Sequence, residues 1–170
     1  MVRRNESALL DAFADLVQHM PYDDIRVADI TLCAGVSRST FYEYFDSKDA
    51  LLMRSSEPLY SILVDCAVGR CSQERLRALL KHLWEKRLLA RQMLDGAIQG
   101  RLTRTLVDMT CSRLTESSSG VRGWNDLRLN AIRSATSQLG VLRGWLNGEV
   151  SYELEPVLDL LMQSTSRPHA

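Results

Sequence analysis

The 170-residue sequence predicts an all-α protein, and three observations carry that prediction. Apolar residues recur three and four positions apart, the spacing that gathers them on one face of a helix, and not in the alternation of a half-buried strand. Aromatic content is only 6%, and no strand-like run stands out. Breaks at Pro21, Gly35, Gly69–Ser72 and Glu116–Gly123 then cut the chain into helix-length pieces.

In a first helix, Leu9, Phe13, Leu16, Val17 and Met20 form an apolar stripe that Pro21 ends, and Tyr22-Asp23-Asp24 makes a polar turn. Ile25, Val27, Ile30 and Ala34 supply the inner face of a second helix. Ala34-Gly35-Val36-Ser37 reads as a hinge: Gly35 tolerates the left-handed conformation of a sharp turn, Val36 pins the turn to the core, and Ser37 N-caps the next helix. This third helix, Arg38–Tyr44, opens on Arg38, Ser39 and Thr40 and buries Phe41 and Phe45. A short helix with a polar leading edge and an anchored back suits a DNA major groove.

A fourth helix is expected from Ser47 to Val68, bent near Pro58, with Leu51 and Leu52 inward. Gln73–Leu94 reads as one long helix starting from a weakened capping box at Ser72. Asp95–Thr115, Asn125–Asn147 and Glu153–Ser164 complete the set, for about nine helices in all.

The segment from Arg3 to Arg54 resembles the DNA-binding domain of the tetracycline-repressor (TetR) family of bacterial transcriptional regulators. The resemblance is carried by Asp29-Ile30, Ala34-Gly35-Val36-Ser37, Thr40-Phe41-Tyr42, Tyr44-Phe45, Ser47-Lys48 and Leu51-Leu52, at the family's spacing without a gap. It implies a helix-turn-helix domain over residues 1–54 and an effector-binding and dimerisation domain over residues 55–170. It also implies a DNA-binding set of Arg3, Arg4, Ser37, Arg38, Ser39, Thr40, Tyr42, Tyr44 and Lys48. Arg38, Ser39 and Thr40 fall where the family reads base edges, and an arginine there matches guanine O6 and N7. Thr40, Tyr42 and Lys48 resemble the family's phosphate contacts, with Tyr44 assisting. Arg3 and Arg4 read either as phosphate or minor-groove contacts or as a solvated terminus.

Three positions depart from the pattern. Arg26 replaces the usual Ser or Thr N-cap of helix two, Leu32 and Cys33 stand at positions that are often polar, and Glu43 puts a carboxylate on the DNA side.

In the second half, Leu129, Ile132, Leu139, Leu142, Trp145 and Leu146 make a broad apolar face, with Gly140 and Gly144 four apart. With Leu154, Val157, Leu158 and Leu161 they resemble the family's closing pair of helices, which implies a homodimer reading a palindromic operator. An intramolecular hairpin is the other reading of that face. Leu63, Trp84, Leu88, Met93, Ile98, Leu102 and Met109 are candidate walls of a pocket for an unidentified small-molecule effector, with plain core packing the first reading of each.

Residues 1–55 hold six Lys/Arg against nine Asp/Glu, a formal charge of −3 that the rest of the chain balances. Non-specific nucleic-acid affinity is therefore expected to be modest. There is no run of about 18 apolar residues and no recognisable signal peptide, so the expected location is cytoplasmic, away from the membrane. The three His and four Cys show no metal-ligand spacing, no catalytic motif appears, and no cofactor or enzymatic activity is expected. The reading is a regulator, and most directly a repressor released from its operator by the effector. Two alternatives remain: a thiol-redox regulator using Cys33, Cys66, Cys71 and Cys111, above all Cys66 and Cys71 at a helix end, and a helical dimerisation or adaptor protein without DNA binding.

Overall fold

Ten α-helices and one 3-10 turn make up the regular structure of the computed structural model, which describes residues 2–95, 98–117, 123–150 and 153–163. No strand occurs among the described residues. The chain divides into two compact units, Met1–Glu57 and Pro58–Ala170.

The first unit holds α1 (Val2–His19), the 3-10 turn Tyr22–Asp24, α2 (Val27–Ala34), α3 (Arg38–Tyr44) and α4 (Lys48–Ser55). The apolar stripe of α1 faces α2 and α3, and α2 packs on α3. Leu9, Phe13, Val17, Ile25, Ile30, Phe41, Phe45, Leu51 and Leu52 form the core. The rings of Phe41 and Phe45, one turn apart, lie 5.8 Å from each other. Burying each such side chain contributes about 1.5–3 kcal/mol, which is what allows helices of seven or eight residues to persist.

The expected fourth helix is two. α4 stops at Ser55, and α5 (Glu57–Ala67) starts afresh with Pro58 in its first turn. Proline has no amide hydrogen to give the preceding turn but is well tolerated in the first turn of a helix. The expected Gln73–Leu94 helix is also two, α6 (Gln73–Glu85) and α7 (Arg87–Asp95), separated at Lys86. No proline or glycine marks that break. It arises from packing, because α6 lies on the last helix of the chain while α7 lies on two others. Those two are α8 (Gln99–Ser117) and α9 (Trp124–Leu146), and the last is α10 (Leu154–Gln163). The expected loop at Glu116–Gly123 and the expected end of the last helix at Ser164 fall partly or wholly outside the described residues.

The second unit is organised around α9, which packs against α7, α8 and α10. From α5 it receives a fully packed face of Leu59, Tyr60, Ile62, Leu63, Val64 and Cys66.

Burial raises the Tyr60 phenol and the Cys66 thiol far above their ordinary pKa values of 10.0 and 9.0. The unfolded chain ionises both groups where the folded chain keeps them neutral. Their contribution to stability is therefore complete at neutral pH and is lost as pH rises past the ordinary values. We expect the melting temperature to hold to about pH 9 and then fall, each group costing about 1.4 kcal/mol per pH unit. Thermal melts across that range check this, and Cys66→Ala is expected to flatten the onset near pH 9.

Candidate nucleic-acid interface

The turn between α2 and α3 is made by Gly35 in the left-handed conformation (φ 65°, ψ 32°). Its amide donates back to the Leu32 carbonyl, and the Val36 amide to that of Thr31. Ser37 then caps α3, its hydroxyl accepting from the Thr40 amide at 3.1 Å. The same oxygen lies 2.7 Å from the Ser39 hydroxyl and 2.9 Å from that of Thr40. Three hydroxyls thus share one exposed corner at the start of the helix.

Behind that corner Phe41 is fully buried, while Tyr42, its ring edge-on to that of Phe41 with centres 5.3 Å apart, is 56% exposed. Arg38, Ser39 and Glu43 are exposed, and Thr40 and Tyr44 half-buried. Arg38 makes no ion pair or hydrogen bond among the described residues. One face of α3 therefore presents a guanidinium, hydroxyls and a phenol, and the other face holds it in place. Arg4 is exposed on α1, and the side chain of Arg3 lies outside the described residues.

Lys48 differs from the phosphate contact expected of it. Its ammonium donates to the carbonyls of Tyr22 (2.6 Å) and Ile25 (2.8 Å), approaches that of Asp23 at 3.5 Å, and sits 4.1 Å from the centre of the Tyr22 ring. The Tyr22 hydroxyl in turn donates to the carboxylate of Asp49. Lys48 and Asp49 together bind the start of α4 to the turn after α1. The sequence gives no local sign of this, since the partners stand more than twenty residues apart.

The N-cap missing at Arg26 is made good by Asp29, whose carboxylate accepts from the Arg26 amide at 2.8 Å. Its signal in the sequence is an acid three residues into the helix. Leu32 is 84% exposed and Cys33 is exposed, so neither serves the core.

In the second unit Leu59, Leu83, Ala90, Met93, Leu94, Leu102 and Leu142 line a small apolar cavity that offers about 20 Å³ to a water-sized guest. A water molecule fits such a space; a drug-sized ligand needs some 300–1,000 Å³. Of the expected walls only Met93 and Leu102 line it. Leu63 and Ile98 are core, and Trp84, Leu88 and Met109 are exposed at the surface. Trp84 stacks on Trp145, ring centres 4.9 Å apart and planes at 27°.

Most residues of the expected dimer face lie inside the single chain. Leu139, Leu142, Trp145, Leu146, Val157, Leu158 and Leu161 are buried within one chain, so their apolar surface is already used against neighbouring helices. Leu154 is half-buried. Only Leu129, at 64% exposure, and Ile132, at 41%, remain on the outside. Leu160 on α10 is exposed as well, and a side chain added at Gly140 would meet open space.

Cys66 and Cys71 approach each other across the end of α5, where Gly69 (φ 72°) turns the chain back. Burial pushes both thiols up, so neither is a ready thiolate nucleophile at neutral pH. Among the described residues no three His, Cys, Asp or Glu are placed to hold a metal. No described helix is long and apolar enough to cross a membrane.

Residues 9–54 match the family of bacterial regulatory proteins, tetR family. The transcriptional regulator EthR of Mycobacterium tuberculosis is 46% identical over 48 residues, 28% of this chain and 22% of that one. DhaS of Lactococcus lactis, the transcriptional activator of the dhaKLM operon, is 33% identical over 84 residues, 49% of this chain and 45% of that one. The chain thus spans less than half the length of these curated relatives. A TetR transcriptional regulator from Streptococcus agalactiae has a crystal structure that aligns with a TM-score of 0.60 and 25% identity, covering 98% of this chain and 96% of that one.

Two substitutions separate the forces that hold α3. Gly35→Ala meets nothing within 4 Å, so its whole expected cost, about 1–2 kcal/mol, is left-handed backbone strain. Lys48→Met removes charged hydrogen bonds at a half-exposed site and is expected to cost about 1–2 kcal/mol. Urea denaturation of the full chain measures both.

Proposed function

From a chain whose N-terminal unit belongs to the tetR family of bacterial regulatory proteins, we infer a homodimeric cytoplasmic regulator that binds a palindromic operator and releases it when a small molecule binds the second unit. The observation that carries this reading is α3 itself. A guanidinium, a hydroxyl cluster and an exposed phenol project from a helix whose other face is locked into a core.

Arg38 reads a guanine through its paired donors, and Ser39 and Thr40 take neighbouring base edges or phosphates. Tyr42 and Tyr44 contact phosphate, and Arg4 adds a charge at the start of α1. Lys48 acts by holding α4 to the preceding turn, which fixes the angle at which α3 is presented. Glu43 and the acidic balance of the first unit keep non-specific affinity low, so few phosphates per subunit contribute to the salt dependence.

The outer strip of Leu129, Ile132 and Leu160, with Gly140 allowing close approach, is the surface for the second copy. Pairing places two α3 helices about one helical turn, ~34 Å, apart on the operator. An effector that favours one arrangement of the second unit shifts that spacing and with it operator affinity. Release of a repressor is the direct form of this coupling. DhaS is named an activator, and activation by this chain needs only the opposite sign of the same coupling.

Selection of genomic fragments at near-physiological salt is expected to enrich an inverted repeat. Arg38→Ala is expected to weaken the enriched site by about 1–3 kcal/mol and relax preference at one position per half-site. Tyr42→Phe weakens all sequences alike. Lys48→Met lowers affinity generally but leaves the salt slope intact, whereas a lost phosphate contact reduces it by about one. No enrichment under reducing conditions, nor after mild oxidation, favours the adaptor reading.

A further inference from the structure

Among the described residues of the second unit, two buried side-chain oxygens have nothing to bond. Thr110 on α8 and Gln138 on α9 are fully buried, yet the Thr110 hydroxyl and the Gln138 side-chain carbonyl have no hydrogen-bond partner. The amide nitrogen of Gln138 is fixed, donating to the carbonyl of Leu63 at 2.9 Å. Its oxygen is therefore an oriented acceptor left unspent. A buried polar atom in this state carries the desolvation cost of burial without the return of a bond, and most native side chains avoid it.

Their place in the fold relates them to the apolar cavity. Gln138 stands one turn before Leu142 on α9, Leu63 one turn after Leu59 on α5, and Thr110 two turns beyond Leu102 on α8. Leu59, Leu102 and Leu142 are all cavity walls. The walls on α9 and α8 thus stand one and two turns from Gln138 and Thr110, and the wall on α5 stands one turn from the Leu63 carbonyl that holds the glutamine amide. The cavity lining is wholly apolar, and no charged side chain is buried among the described residues. An ionised guest has no counter-charge here, and its desolvation goes uncompensated.

Resting on the reading of the chain as an effector-responsive regulator, we propose that this region binds a small, neutral, mainly apolar molecule that donates a hydrogen bond to the Gln138 carbonyl. The Thr110 hydroxyl is its second polar contact. The resting cavity has room only for a water-sized guest, so a larger one enters by displacing the unbranched side chain of Met93, the most adaptable of the walls. The polar pair selects the hydrogen-bond donor, and the apolar walls select against charge.

The test uses the full chain and three probes built on one tolyl group, 4-methylphenol, toluene and 4-methylbenzoate, monitored by calorimetry and thermal shift. Wild-type protein is expected to bind the phenol about tenfold more tightly than toluene and to leave the benzoate unbound. Gln138→Leu is expected to bind phenol and toluene alike and to melt higher than wild type. Thr110→Val, the milder change, is expected to keep the preference at a reduced level, which preserves the test if the glutamine variant fails to fold. Equal binding of phenol and toluene to wild type overturns the proposal, as does full preference in the variant, binding of the benzoate, or binding of no probe. Fragment selection on the same preparation separates the two readings. Operator enrichment without probe discrimination overturns this proposal alone, whereas discrimination without enrichment supports the ligand site and removes its regulatory role.

Discussion

A helix of seven residues does not sustain itself in water, and the first unit is built to hold one in place. Isolated helices shorter than about 12–15 residues are marginal because the nucleating turn costs more than the few later bonds return. Arg38–Tyr44 persists because its start is capped by Ser37 and its back is filled by Phe41 and Phe45. The approach to it is bent by the left-handed Gly35. The chain beyond it is anchored through Lys48 and Asp49. Every one of these groups lies on the inner side or at an end. The outer side is left free for side chains that the fold itself does not need, and that division is what lets a small helix carry recognition.

What the sequence makes legible is what is local. Pro21, Gly35 and Ser37 act through their own backbone and the next few residues, so the turn and its cap are readable without a structure. The Asp29 cap is equally local, but the arginine at the capping position masks it, because the bond runs to the Arg26 backbone and not from its side chain. By contrast, the Lys48 anchorage joins residues that only folding brings together, and a lysine beside a helix start looks alike whether it faces carbonyls or solvent. The breaks at Ser56 and Lys86 differ in the same way. Pro58 advertises the first, whereas the second is set by which neighbours α6 and α7 rest against.

The closing helices show the limit of periodicity. A broad apolar face on α9 is visible in the sequence, but periodicity does not say whether another helix of the same chain or of a second copy covers it. Most of that face is taken up internally by α7, α8 and α10, and only a thin outer strip is left. The helix is therefore committed on one side before any partner arrives. Gln138 sits on that committed side, where leucine would be the simpler choice for stability alone.

The stacked indoles of Trp84 and Trp145 give the second unit an optical gauge of its own. Two such chromophores at 4.9 Å and 27° couple their electronic transitions, and the coupling depends steeply on separation and tilt. One ring belongs to α6 and the other to α9, so a small slide between those helices alters the signed near-ultraviolet dichroism without any attached label. Trp124, the third indole of the chain, lies against Arg128 on the other end of α9 and supplies a reference within the same spectrum.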